Sequence, residues 1–272
     1  MRLGVAIRSM GPQSHPGTLQ ACARAAENAG LADLWVQDHL AIPPDDAEGS
    51  GGRYLDPLTA LAWLAAKTER IGIGTGVLNL PYRPALPTAK AIATVQELSG
   101  GRLRLGVGVG WMEPEFRALG VPRRERGART DATLAFLHEA FASDEIEANG
   151  QRFLFLPRPA RPAIYVGGGG DHALRRAARF GDAWFPMGGD PKQLAVGARR
   201  LAELAEEAGR PAPGIAVFAR FDPQRHAAIA EQVEALREAG VTHLIAGARY
   251  HDADDFEEHV AFLAERVLPE VG

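Results

Sequence analysis

The chain has 272 residues, 46% of them apolar, with a formal net charge of −4 and one cysteine, Cys22. That length buries a sizeable core. The mild negative balance without a basic stripe argues against nucleic acid, and a lone cysteine excludes disulfides and cysteine-built metal sites within one chain. The first residues run into "RLGVAIRS" with no secretory pattern, and no apolar run approaches the ~20 residues of a membrane span, so the expectation is a soluble, cytoplasmic protein.

In chain order, the first strand is predicted over 3–7 ("LGVAI"), followed by a helix that Thr18 caps and Gly30 ends. The second, 33–37 ("DLWVQ"), leads through a long loop, 41–54, to a helix opened by Asp56-Pro57, a cap with proline in the first turn. The third, 71–78 ("IGIGTGVL"), precedes a helix at 86–98. The fourth, 103–110 ("LRLGVGVG"), runs into a loop, 111–127, and a helix at 128–142, after which "QRFLFL" marks a small extra strand. The fifth strand, 163–168, is followed by a helix at 172–180. The sixth, 182–187, leads to a helix from Asp190-Pro191 to near Gly209, and the seventh, 214–221, to one from Asp222-Pro223 to near Gly240. The eighth, 242–248, precedes a last helix at 254–268.

Most of these strands are short apolar runs, as strands buried on both faces should be. Eight strands alternating with eight helices predict a (β/α)8 TIM barrel forming a single domain over 1–272, with an open doubly wound sheet as the alternative. The loops after strands 2, 3 and 4 fall at the face where barrel active sites are built.

A barrel alone does not specify chemistry. The first strand has no His-x-His, and the eight histidines are scattered, so a clustered metal site is not expected. Lys67, Lys90 and Lys192 all fall on predicted helices, which removes Schiff-base chemistry at a strand end. No G-x-S-x-G elbow is present. Three features remain. Asp38-His39 directly follows strand 2, where a histidine is either structural or able to bond and exchange protons with a ligand. The run "GGGGDHALRRAARFG" (167–181) follows strand 5 and opens a helix. It suits a phosphate on unobstructed amides, or is a turn capped by Asp171; its spacing is not that of a Rossmann fingerprint. Finally, Gly72, Gly74 and Gly76 alternate with β-branched residues in strand 3, and Gly106, Gly108 and Gly110 alternate with Leu105, Val107 and Val109 in strand 4. Either other side chains pack closely against both strands, or a flat ring system approaches the backbone there.

The segments "LWVQDHL", "RIGIGTGVLNLPYRPALPTAKAIATVQELSGGRLRLGVGVGWMEPEFRALG", "RGARTD" and "RPAIYVGGGGDHALRRAARFGDAWFP" resemble the bacterial luciferase-like oxidoreductases, and most the branch assigned to the deazaflavin coenzyme F420. The resemblance spans nearly the whole chain. It implies a (β/α)8 barrel binding coenzyme F420, or alternatively FMN, at the carboxyl ends of its strands. It implies a cis peptide at Gly76-Val77 behind the ring, with Gly108 nearby. Phosphate contacts map onto Gly167, Gly168, Gly169 and Gly170 and the helix start at Asp171 and His172. His39, oriented by Asp38, would act on the substrate, with Trp111 and Met112 lining its pocket. Two departures stand out: Val109 replaces the acid of the deazaflavin sugar-phosphate dehydrogenases, and Gly108 replaces the reactive cysteine of the luciferases.

The expected activity is hydride transfer between coenzyme F420 and a small organic substrate, with no metal. The alternatives are an FMN-dependent monooxygenase supplied by a separate cofactor-reducing enzyme, and a non-catalytic flavin-binding barrel. A homodimer is expected, with no nucleic-acid or membrane partner.

Overall fold

Short apolar runs punctuated by glycine and by Asp-Pro caps become parallel staves and their return helices in the computed structural model, which describes residues 1–225, 228–247 and 249–272. The strands are β1 (Arg2–Ala6), β2 (Asp33–Val36), β3 (Gly72–Thr75), β4 (Leu78–Asn79), β5 (Leu103–Gly108), β6 (Glu145–Ala148), β7 (Gln151–Leu154), β8 (Ala163–Gly167), β9 (Ala183–Phe185), β10 (Gly214–Ala219) and β11 (His243–Ala246). The helices are α1 (Pro16–Asn28), α2 (Pro57–Ala65), α3 (Ala85–Leu98), α4 (Glu113–Ala118), α5 (Arg126–Ala140), α6 (Gly170–Phe180), α7 (Pro191–Glu207), α8 (Ile229–Glu238), α9 (Ala253–Phe262) and α10 (Leu268–Val271).

The main sheet closes on itself. Its order is β3-β2-β1-β11-β10-β9-β8-β5-β4, and β3 also pairs with β5. β3 and β4 are two halves of one stave: Ile73 pairs with Leu103 and Leu78 with Val107. Every pairing in this sheet is parallel. The result is the expected eight-staved (β/α)8 barrel. β6 and β7 form a separate antiparallel hairpin, which contains the extra strand read from "QRFLFL".

The caps at Asp56 and Asp190 behave as the sequence implied, each accepting from the backbone N–H three residues on (Thr59 and Gln193, both 2.9 Å). Three other caps do not. Pro16 takes the first position of α1, so Thr18 lies inside the helix. Asp222 closes a tight turn onto Gln224 N–H, and α8 begins only at Ile229. Gly169, not Asp171, occupies the cap position of α6. His226 and Ala227, in the helix read after Asp222-Pro223, and Ala248, ending the eighth predicted strand, lie outside the described residues.

Side chains fill the barrel interior, which is therefore a plugged core and not a pore. Trp35 on β2 is its centre, fully buried, with its ring 5.2 Å from Tyr165, 5.5 Å from Phe185 and 5.6 Å from His243. Asp33 Oδ1 anchors the plug from below, accepting from Trp35 Nε1 at 2.6 Å and lying 2.8 Å from His243 Nε2.

This plug explains much of the glycine stripe. A Cβ on Gly74 would lie 2.7 Å from Trp35 Cε3, one on Gly72 2.9 Å from Asp33 Cβ, and one on Gly106 1.9 Å from the carbonyl oxygen of Thr75. Close packing thus accounts for the lower glycines, Gly72, Gly74 and Gly106, without a flat ring.

Candidate functional site

Above the Trp35 layer, at the carboxyl ends of β3, β4, β5, β8, β9 and β10, the barrel opens into a cleft of about 260 Å³. That is close to the lower end of ligand sites, about 300–1,000 Å³, and suits a ring portion better than a whole nucleotide. Val77 forms its floor: its methyls lie 2.5 Å from where a Cβ on Gly108 would be and 3.1 Å from one on Gly167. Gly108 is bare because Val77 lies across it, and Gly167 because the Val107 carbonyl, 2.9 Å from such a Cβ, and Val77 close it off together. The Gly76–Val77 peptide is cis. Phe185 and Phe218 face Gly76, and Trp111 and Met187, 65% and 84% exposed, stand at the rim.

Beside the cleft, Gly168 donates its N–H to the Phe185 carbonyl (3.1 Å), and its own carbonyl accepts from Trp184 Nε1 (2.8 Å). The chain then enters α6 with no side-chain cap, leaving the amides of its first turn without intrahelical partners. Gly168 and Gly170 have φ of 112° and 76°, which favour glycine. Gly169 has extended backbone and open space around a Cβ, so nothing in the fold itself requires glycine there. An anion with bulk around it fits such a position. Arg175 and Arg200 both bond the Asp171 carboxylate, at 2.6 and 3.3 Å, and hold it below the usual carboxylate range. Gly169, Gly170, Asp171 and His172 are exposed and lie outside the cleft lining.

The Asp38-His39 pair separates. Asp38 is buried and turns toward the starts of α2 and α3, where Arg83 grips both its oxygens (2.7 and 2.8 Å) and the Asn79 N–H bonds Oδ2 at 2.8 Å. It does not orient His39, as had been expected. That place is taken by Glu115, which sits on α4 and is fully buried. Its Oε2 lies 2.9 Å from His39 Nδ1 and accepts from the Tyr82 hydroxyl at 2.9 Å; its Oε1 accepts the amides of Leu40 (2.7 Å) and Ala41 (3.1 Å). Burial alone would raise this carboxyl, but the His39 ring and the two amides outweigh it and hold it at about 2. Glu115 is thus an acceptor at neutral pH. The Tyr82 hydroxyl is pushed up by burial and by Glu115.

The His39 ring packs edge-on to Tyr54 (4.9 Å) and Trp111 (6.2 Å), so it joins the cleft through Trp111. Met112 is buried at the cap position of α4 and does not line the cleft. The structure therefore gathers Gly76, Val77, Gly108, Gly167, Gly168 and Trp111 around one cleft, with His39 at its edge. Among the described residues no group of three or more His, Cys, Asp or Glu is placed to hold a metal ion, and no helix is long and apolar enough to cross a membrane.

The sequence model of a luciferase-like monooxygenase family matches residues 1–270. An uncharacterised Mycobacterium tuberculosis protein is 33% identical over 245 residues, covering 84% of this chain and 83% of that one. An F420-dependent glucose-6-phosphate dehydrogenase of Amycolatopsis mediterranei is 32% identical over 206 residues, covering 71% of this chain and 60% of that one. The oxygenating constituent of 3,6-diketocamphane monooxygenase from Pseudomonas putida, solved with FMN, superposes with a TM-score of 0.81 at 15% identity, covering 100% of this chain and 99% of that one.

Proposed function

The chain belongs to the luciferase-like monooxygenase family, and from that premise we propose that it is an oxidoreductase passing a hydride between coenzyme F420 and a small organic substrate. The observation carrying this reading is the meeting, at one barrel mouth, of an apolar cleft floored by Val77 and a histidine held by a buried carboxylate. The similarity to an F420-dependent dehydrogenase at 32% identity supports the deazaflavin.

Gly76, Val77 and Gly108 would support the ring, and the open amides beginning α6 would take the phosphate. Bound there, the deazaflavin would supply the ring carbon that takes up or gives back the hydride. His39 Nε2 would accept the proton of a substrate hydroxyl on oxidation and return it to the carbonyl oxygen on reduction. Trp111 and Met187 would close over the substrate and exclude water. Val109, which lines the cleft, is apolar where the resemblance implies an acid in the sugar-phosphate dehydrogenases, so the acid catalyst of those enzymes is not part of the proposal. The same apolar cleft would take the ring of FMN, which keeps a monooxygenase as the rival reading. A homodimer is part of the proposal.

Absorbance titration of the purified protein with each cofactor tests it. The reading expects coenzyme F420 to bind at micromolar concentration or below, and His39→Asn to keep that binding while losing turnover. Tight FMN binding without coenzyme F420 binding would replace it by the monooxygenase reading, and unchanged turnover in His39→Asn would remove the role given to His39.

A further inference from the structure

We infer that Glu115 is a positioning residue: by accepting from His39 it fixes the imidazole in its Nδ1–H form and presents Nε2 as the proton-accepting nitrogen. The inference rests on the reading of His39 as the proton carrier.

An ionised carboxylate can only accept. Glu115 is fully buried and receives four groups: two amides on Oε1, and the Tyr82 hydroxyl and His39 Nδ1 on Oε2. Three of the four have no other role to offer it, since two are backbone N–H groups and the third is a phenol that is a donor at neutral pH. The fourth, Nδ1, must therefore carry a proton too, because an unprotonated nitrogen 2.9 Å from a carboxylate oxygen would set two lone pairs against each other. In a neutral imidazole that leaves Nε2 unprotonated. Nε2 has no hydrogen-bond partner among the described residues, and the ring leans on Trp111 at the cleft rim.

The geometry also separates positioning from mere anchoring. Tying the loop after β2 to α4 needs only the two amides on Oε1. The second oxygen is spent on the ring and on the turn after β4, so one carboxylate sets the relation of three strand ends. A carboxylate is the one group of this size able to accept on both sides. A carboxamide must donate on one of them: with its oxygen toward the two amides, its NH2 faces Nδ1 and forces that nitrogen to become an acceptor, moving the proton to Nε2.

The test is the histidine ring tautomer, read by ¹⁵N–¹H NMR on the protein without cofactor, on the high-pH plateau of the ring signals, where a single ring nitrogen carries a proton. Wild type is expected to show His39 protonated at Nδ1 and bare at Nε2. Glu115→Gln is expected to show the reverse, and Tyr82→Phe, which leaves the carboxylate in place, the wild-type form. In turnover with coenzyme F420, Glu115→Gln should lose about 10²–10⁴-fold in kcat, the size of an acid–base contribution, with KM changing far less; Glu115→Asp should recover part of the loss. A wild-type ring protonated at Nε2 would overturn the inference by itself, even if Glu115→Gln failed to fold, and so would an unchanged tautomer in Glu115→Gln. A reversed tautomer with undiminished turnover would overturn it on the other ground, that His39 carries no proton in the reaction.

Discussion

Substituting Gly74 by alanine places a methyl group where the fold has no room. The added Cβ would lie 2.7 and 2.8 Å from Cε3 and Cδ2 of Trp35, and rigid ring atoms cannot turn aside as a chain end can. The indole cannot retreat either, because three rings pack around it and its Nε1–H is held by Asp33 at 2.6 Å. Overpacking of this kind costs about 1–3 kcal/mol, and the fixed ring places Gly74→Ala near the upper end. Alanine returns up to about 1 kcal/mol by restricting the unfolded chain. The net loss is about 2 kcal/mol, a fall of roughly 4–8 °C in Tm for a chain of this size. Gly108→Ala is the companion. Its Cβ would meet first Val77 Cγ2 at 2.5 Å and then Asn79 Oδ1 at 3.2 Å, and the Val77 methyl can turn into the cleft it floors. Calorimetry and cofactor titration on both variants should therefore separate: Gly74→Ala loses stability and keeps affinity, whereas Gly108→Ala keeps Tm within a few degrees and loses affinity at least about tenfold, or 1.4 kcal/mol. Equal effects of the two variants on cofactor affinity would refute the division of the glycine stripe into a lower part packed on the fixed Trp35 ring and an upper part packed on Val77, which itself borders the cleft.

Glu115 should make stability depend on acid: its carboxyl titrates at about 2 in the fold against an ordinary 4.5, so its contribution is complete above pH 4.5 and is lost as pH falls toward 2. That depression is worth about 3 kcal/mol, and the difference in urea stability between wild type and Glu115→Gln should shrink across the same window. Arg83→Ala strips the bidentate partner from a buried Asp38 and should cost about 3–5 kcal/mol in chemical denaturation. His39→Asn, measured alongside, should cost far less, which separates the structural acid from its sequence neighbour.

The barrel was legible because strands buried on both faces read as apolar runs, and because Asp56-Pro57 and Asp190-Pro191 cap helices by strictly local bonds. Asp222-Pro223 has the same pair of residues, but the Asp222 carboxylate accepts from the N–H two residues on, at Gln224, where a cap accepts three residues on. The loop after β8 was read from its own glycine run ahead of a helix, whereas the cleft floor at Gly76-Val77 was reached through a family resemblance; the glycine pattern alone could not tell Trp35 and Val77 from a bound ring. Glu115 was missed for a physical reason. Its histidine and amide partners are 74–76 residues away, its hydroxyl partner 33, and α4 hid inside what read as an irregular loop. Asp38 was misread because adjacency in sequence suggested a pair, while successive residues leaving a strand point to opposite sides.

A crystal structure with oxidised coenzyme F420 tests the central claim most directly. The account predicts the ring lying on Gly76, Val77 and Gly108, the phosphate on the first-turn amides of α6, and His39 Nε2 on the side where substrate enters. A ring bound elsewhere, or a phosphate away from Gly168 to His172, would contradict it.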